Sequence, residues 1–360
     1  MSAEPGRRDV IVIGAGAAGL TAANALSRAG RTVLVHEARD RVGGRVRSVA
    51  TSRGTVDVGA TWFWPDEPLV ESLAEQLGLG VFAQHRDGDA LFETMQPGVQ
   101  RLDGNPIDVA AFRFAGGAQA LAQRLADQLP PGTLRLEDPV TAVAVTSAGV
   151  RVDARGGSTL GDHVVIAVPP ALAVEQITFT PELPADLRGT AERTAVWMGG
   201  TVKAVAVYDD AFWRAAGLSG SAISYAGPFR EFHDHSGPEA APAAIFAFAP
   251  AQRFARSDGS AVERAFRDQL TRMLGRQADH AREIHVVDWS RERFTVPRHP
   301  AYRTSTDTFG AAVFQQPVHD RVHWASTETA TAYAGHIEGA VRAGLSAAKT
   351  IARTMRGERR

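Results

Sequence analysis

Gly14, Gly16, Gly19, Glu37 and Lys203 carry the first chemical hints in this chain. The glycines are spaced G-x-G-x-x-G after the apolar run VIVI, Glu37 follows 23 residues beyond Gly14, and Lys203 interrupts the apolar stretch TVKAVAVY, Thr201 to Tyr208. The glycine spacing suits backbone that must come close to a phosphate, and the acid suits a ribose hydroxyl. The lysine is harder to place. Two-residue alternation puts Lys203 on one strand face with Val205 and Val207 and leaves Val202, Ala204 and Ala206 on the other, so neither face reads as solvent-exposed. An ammonium group turned toward a core loses hydration and needs a compensating role. A strand-edge lysine whose tip reaches solvent is the plain alternative.

Elements must position these groups. Val10 to Ile13 reads as a buried strand, Leu20 to Ala29 as a helix stopped by Gly30, and Thr32 to His36 as a second strand that ends at Glu37. In such a βαβ unit Gly14 permits the tight turn, Gly16 lets backbone approach a pyrophosphate, Gly19 lets helix and sheet pack closely, and the helix N-terminus faces the phosphates. Glu37 would accept hydrogen bonds from a ribose 2′-hydroxyl and repel a 2′-phosphate, which favours an ADP moiety without the extra phosphate. Taken alone, the unit leaves NAD and FAD both open.

Composition narrows the rest. A chain of 360 residues, 44% hydrophobic and 22% charged, has the make-up of an ordinary globular protein with room for two domains. Its net charge is −1 and its basic residues are dispersed, so no nucleic-acid partner is indicated. The absence of cysteine excludes disulfides, zinc–thiolate sites, thiol catalysis and any flavin attached through sulfur. Arg7 and Arg8 before Val10 to Leu20 imitate a twin-arginine signal, but that run is the glycine motif. No stretch is long and apolar enough to span a membrane, and the expectation is a soluble cytoplasmic protein. His233, Asp234 and His235 in REFHDHSG imitate metal-ligand spacing, yet the flanking serine and glycine read as a solvated turn, and no metal is expected. Local spacing supports no Ser-His-Asp grouping.

Beyond Glu37 the chain reads EARDRVGGRV, Glu37 to Val46, then VDVGATWFWP, Val56 to Pro65, and near its end WASTETATAYAGHIEGAV, Trp324 to Val341. With these blocks the sequence resembles the flavin-containing amine oxidoreductase family, which includes monoamine oxidases, polyamine oxidases and L-amino-acid oxidases. The resemblance continues through FAGGAQAL, Phe114 to Leu121, LEDPVTAVAV, Leu136 to Val145, and VVIAVPPALAVEQITFTPELP, Val164 to Pro184. It implies FAD, held without a thioether link, along Gly14, Gly16, Ala18, Gly19, Glu37, Ala38, Arg39, Gly43, Gly44, Arg45, Gly59, Ala60, Thr61, Trp62, Val140, Glu328, His336 and Ile337. It implies an amine pocket formed by Trp62, Phe246, Phe248, Trp289, Tyr302, Tyr333 and His336. It places Lys203 as the catalytic lysine that holds a water next to flavin N5, where desolvation favours a neutral amine. The aromatic residues also read as ordinary core or interface side chains, and His336 also reads as a helix cap. Ile337, Ala340, Val341, Gly344, Leu345 and Ala348 repeat at helical spacing after His336.

Two departures from the family pattern stand out. Only 18 residues separate Glu93 from Phe112, where large members of the family carry a helical cap over the substrate cavity. The chain therefore reads as a shortened form lacking most of that cap, with a site that is more open or is covered by a partner subunit or by the loop 215–240. His336 also stands where one of two guiding tyrosines often sits, the other matching Tyr302, and a histidine gives or takes a proton near neutral pH. The expected fold is α/β, a two-domain FAD-binding Rossmann-type fold with a smaller mixed-sheet substrate domain. Residues 1–83, 110–190 and 303–360 form the first domain, and residues 84–109 and 191–302 the second. The expected activity is oxidation of the C–N bond of an amine or amino-acid-like substrate to an imine, with dioxygen reduced to hydrogen peroxide. A flavin-dependent dehydrogenase or desaturase of a specialised metabolite, using another electron acceptor, is the alternative, and a module that binds FAD structurally is a third class. A homodimer is compatible with the sequence.

Overall fold

The computed structural model describes residues 6–96, 98–298 and 305–357. The β-branched run near the start forms the strand Arg8–Ile13, flanked in parallel by Val33–His36 and by Gly157–Ile166. Alternation sends Val10 and Val12 to a core shared with the helices Ala17–Arg28, Gln119–Asp127 and Ile337–Gly357, whereas Ile11 and Ile13 face Val143, Val152, Ala173 and Leu187. Both faces are covered, which is why this strand tolerates no polar residue in its middle.

The complete sheet runs Thr178–Thr180, Val140–Thr146, Gly149–Ala154, Gly157–Ile166, Arg8–Ile13, Val33–His36 and Leu134–Arg135, with Val322–Trp324 beside Gly157–Ile166 as an eighth strand. Gly157–Ile166 serves two partners in turn. Its first half pairs antiparallel with Gly149–Ala154, and its last three residues pair parallel with Val322–Trp324. The carboxyl ends at Ile13, His36, Ile166 and Trp324 therefore share one edge, the edge at which open parallel sheets bind ligands.

The helix Ile337–Gly357 packs on Ala17–Arg28 through a buried face that includes Ile337, Ala343, Ala347, Ala348 and Ile351. Leu345 is not on that face: it is 39% exposed, so the helical spacing read from the sequence placed it one step too far around the axis.

A second sheet runs Glu283–Asp288, Thr201–Tyr208, Ala243–Pro250, Glu231–Asp234, Leu218–Ser224, Asp89–Glu93 and Val99–Leu102. Val202, Ala204 and Ala206 pack toward the helix Gly259–Leu274, whose Val262, Phe266 and Leu270 are spaced four residues apart. Burying Phe266 alone contributes about 1.5–3 kcal/mol. Val205 and Val207 turn the other way, onto Val56, Val58, Phe246 and Trp289. Both faces of the lysine-bearing strand are thus covered, as its alternation predicted. Where a cap was missing from the sequence, Asp89–Glu93 and Val99–Leu102 extend this sheet, and residues 103–111 follow without a helix.

Candidate functional site

The two sheets enclose one cleft of about 880 Å³ that runs from the parallel-strand edge to the Lys203 face of the second sheet. At its first end the helix Ala17–Arg28 starts from an extended Gly16 with no side-chain cap, and Ala17 and Ala18 line the cleft. An uncapped N-terminus presents free N–H groups and the positive end of the helix dipole to an anionic ligand. Gly19 lies one turn in and does not line the cleft; a Cβ there would sit 2.0 Å from the Gly14 carbonyl oxygen, so only glycine lets the helix start this close to the turn. Gly43 has φ +109°, and a Cβ there would meet the Val46 carbonyl oxygen at 2.5 Å. Glu37 is buried, its Oε2 accepting from the Ala15 N–H at 2.8 Å and its Oε1 from the Arg39 N–H at 2.9 Å. The turn thereby holds the carboxylate at the strand end.

Ala38, Gly44, Ala60, Thr61, Val140 and Ile337 line the same cleft, as do Arg39 and Arg45. The Arg39 guanidinium is fixed from outside by Thr295 Oγ1 at 2.6 Å and Glu292 Oε2 at 3.2 Å. Arg45 donates to both oxygens of Glu328, at 2.5 and 3.0 Å. Glu328 is fully buried and lies behind Arg45 rather than on the cleft wall. Burial opposes its charge, but the paired guanidinium outweighs burial and holds the carboxyl below the usual range. A glycine-lined turn, an uncapped helix start and a neutralised arginine form a donor set that fits a dinucleotide: anion-seeking at its middle, flat and uncharged beyond.

At the other end Lys203 is 5% exposed, and its Nζ donates to the Gly59 carbonyl at 2.7 Å. Gly59 therefore acts through its backbone, from behind the wall. Burial pushes the Lys203 ammonium down to about 7, against the opposing pull of Asp57. Burial also pushes the Asp57 carboxyl up, although Ser48, Thr61 and the Ala118 N–H all donate to it. Trp62 lines the cleft with its Nε1 bound to Gln84 Oε1 at 3.0 Å, and its ring meets Phe248 at 6.0 Å and Phe246 at 5.6 Å. Phe248 and Trp289 also line it, Trp289 anchored through Nε1 to the Val58 carbonyl at 2.9 Å. Phe246 forms a second layer beneath them, fully buried and stacked on His235. His336 faces the cleft, its Nδ1 2.5 Å from the buried carboxylate of Glu67 and its ring 4.8 Å from Trp64. The imidazole is thus held by an acid and does not cap the helix. Tyr333 stands behind His336, its hydroxyl donating to the Asp66 carbonyl at 2.7 Å. Tyr302 lies outside the described residues.

The segment read as a solvated turn is instead the strand Glu231–Asp234, with Asp234 and His235 fully buried. A neighbouring serine and glycine suggested exposure, but pairing with Ala243–Pro250 draws the segment into the sheet. His235 Nε2 accepts from the Asp57 N–H at 3.0 Å, and burial pushes this imidazole well below its ordinary value. His233 lines the cleft beside Trp62, ring centroids 5.1 Å apart, with Nδ1 2.7 Å from Asp108 Oδ1. Burial works against charge on His233, but the hydrogen-bonded carboxylate of Asp108, with the Glu231 carboxylate nearby, wins and pushes it up to about 9. Neither His233 nor Asp108 was singled out by sequence for this site. Their signal was the alternation E-F-H-D, legible only once the strand had a partner.

The described residues contain no helix long and apolar enough to cross a membrane. Residues 17–113 and 110–352 match the family described as flavin containing amine oxidoreductase. A Mycobacterium tuberculosis protein bearing the name flavin-containing monoamine oxidase AofH is 30% identical, with 96% of each chain covered. Putrescine oxidase of Kocuria rosea is 25% identical over 96% of this chain and 95% of its own length. The first alignment spans 447 positions against 360 residues here, so at least 87 positions face no residue of this shorter chain. Among solved structures, cyclohexylamine oxidase from Brevibacterium oxydans IH-35A superposes with a TM-score of 0.86 at 25% identity, covering 98% of this chain and all of that one. The chain belongs to the flavin-containing amine oxidoreductases and is an enzyme of that family.

Proposed function

We propose that this enzyme is an FAD-dependent amine oxidase that takes the C–N bond of an amine or amino-acid-like substrate to an imine, with dioxygen as the acceptor and hydrogen peroxide as the product. The observation that carries the reading is Lys203, a buried amine biased toward its neutral form, at the end of a cleft whose other end is the glycine turn. FAD, held without a sulfur link, supplies the two-electron chemistry. The chain's own residues bind, orient and exclude water. Glu37 is set for the ribose, the Ala17–Arg28 helix start and Arg45 for the diphosphate, and Gly43, Gly44 and the Ala60 to Trp62 segment for the flat ring. The Lys203 Nζ, anchored on the Gly59 carbonyl, keeps a lone pair when neutral and so can hold a water by accepting a hydrogen bond from its O–H. Trp62 and Phe248 form an apolar slot that favours an uncharged amine. His336 holds a proton at Nδ1 against Glu67 at the opposite wall. The division of the chain into a cofactor unit, 1–83, 110–190 and 303–360, and a substrate unit, 84–109 and 191–302, belongs to the same proposal. Its support is that the two sheets draw on those segments.

The test is an anaerobic screen of amines and amino acids against the flavin-loaded enzyme. At least one is expected to bleach the flavin, with peroxide formed when air is admitted; a flavin that no amine reduces overturns the reading. Slow reoxidation by oxygen without peroxide would replace oxidase with dehydrogenase. Lys203→Met is expected to keep FAD and lose about 10²-fold in turnover or reoxidation, the size of a lost proton-handling group. Unchanged kinetics would remove its catalytic role.

A further inference from the structure

The geometry points to a second recognition site on the far wall of the cleft, where the His233 Nε2–H and the Arg230 guanidinium bind a carboxylate that the amine substrate carries several bonds from its nitrogen. The inference rests on the amine-oxidase reading for the reacting end of that molecule. Asp108 is saturated: Oδ1 takes the His233 Nδ1–H at 2.7 Å, and Oδ2 takes the Ser221 hydroxyl and the Asn105 amide, the latter at 3.1 Å. This fixes the ring and leaves Nε2 as the free donor. Its nearest carboxylate, Glu231 Oε2, is 3.8 Å away, too far for a hydrogen bond. Burial disfavours a charged ring, yet with Asp108 and Glu231 beside it the imidazole is held cationic at neutral pH. Arg230 lines the same wall, donating to the Ser224 carbonyl at 3.3 Å, and no ion pair ties it to an acid among the described residues.

Sheet register supplies the ruler. Lys203 pairs with Phe248 and Phe248 with Glu231, while Val205 pairs with Phe246 and Phe246 with His233. Two strand spacings separate Lys203 from this wall, about 10 Å. Trp62 and Phe248 fill the interval and frame a slot for an alkyl or aryl spacer. The Glu231 side chain is 56% exposed and can turn to water when an anion takes its place, at a cost typical of a surface pair.

The probe is hexanoate, which carries the acceptor without an oxidisable amine. It is titrated into flavin-loaded enzyme and followed by the change in flavin absorbance. Its Kd is expected to rise at least about tenfold in His233→Leu and, as a second variant, in Arg230→Gln, and to fall or hold in Glu231→Gln, a tenfold change being the ordinary size of one lost charge-assisted contact. Failure of hexanoate to bind the unaltered enzyme, an unchanged Kd in both cation variants, or weaker binding in Glu231→Gln overturns the inference. Turnover separates the two readings. If 6-aminohexanoate and hexylamine are both oxidised with equal kcat/KM and hexanoate affinity ignores His233, this inference fails while the amine reading stands. If no amine is oxidised yet His233→Leu loses hexanoate, the amine reading fails and the carboxylate site stands.

Discussion

The Glu37 end of the cleft and the Lys203 end are built by different rules. At the first, contacts come from backbone: a turn whose amides hold Glu37, a helix start with no cap, and glycines that admit a ligand because they lack a Cβ. At the second, contacts come from side chains on separated segments, each held by a partner far away in sequence. Trp62 is held by Gln84, His233 by Asp108, Lys203 by Gly59 and His336 by Glu67. Backbone sites are defined by local geometry and bind what the fold prescribes. Side-chain sites can change ligand with one substitution. The difference predicts that changes at the first end alter cofactor occupancy, whereas changes at the second alter rate and selectivity with the cofactor still bound.

The largest effect expected is at Gly19. In Gly19→Ala the new Cβ would fall inside the van der Waals radius of the Gly14 carbonyl oxygen, and backbone on both sides must move. Flavin retained per protein after gel filtration should fall by about tenfold or more, since the turn it distorts is the one that approaches the pyrophosphate. Lys203→Met serves as the control and should retain it. A Gly19→Ala protein carrying stoichiometric flavin would dissolve the distinction between the two ends.

A smaller effect concerns stability at the second end. Lys203 titrates near 10.5 when exposed and near 7 in the fold because of burial. Between these values the unfolded chain binds the proton and the folded chain does not, so the penalty is absent above pH 10.5, accumulates as pH falls toward 7, and is constant below it. Lys203→Met escapes the penalty. With FAD at the same saturating concentration for both proteins, its unfolding free energy from urea titration should exceed that of the unaltered enzyme by an amount on the order of 4 kcal/mol at pH 7. The gap should narrow steadily toward pH 10. A gap independent of pH would mean that the lysine keeps its charge inside the fold.

The same contrast explains what could be read before folding. Gly14, Gly16, Gly19 and Glu37 were legible because a phosphate-binding turn needs them at fixed spacing along one stretch of chain. Lys203 was legible as an anomaly, a charge in an apolar alternation, although its partner Gly59 is 144 residues away. Asp57 sits within VDVGATWFWP with no local sign of its role, which is to collect Ser48, Thr61 and the Ala118 N–H, a set that exists only in three dimensions. His233 and Asp108 were missed for the same reason. Nothing near Asp108 in sequence hints at a histidine 125 positions on, and the serine and glycine after His235 argued locally for exposure. Leu345 shows the converse error: spacing alone extended a buried face that the helix had already turned away from the core.

The finest test lies between two nitrogens on one sheet face. Lys203 and His233 both look into the cleft from the second sheet, and both are disfavoured as cations by burial. Lys203 has no hydrogen-bonded carboxylate and is driven down to about 7, whereas His233 has Asp108 and is driven up to about 9. Asp108→Asn removes that acceptor charge while keeping the shape. Burial should then govern His233 as it governs Lys203 and His235, and its titration, followed by NMR of labelled histidine, should fall from about 9 to below the ordinary 6.5. At pH 7.5 the ring would change from charged to neutral, and Nε2 would cease to be a cationic donor. A midpoint that stays near 9 would assign the shift to Glu231 at 3.8 Å, making a flexible surface acid, rather than the saturated Asp108, the group that sets the charge of this wall.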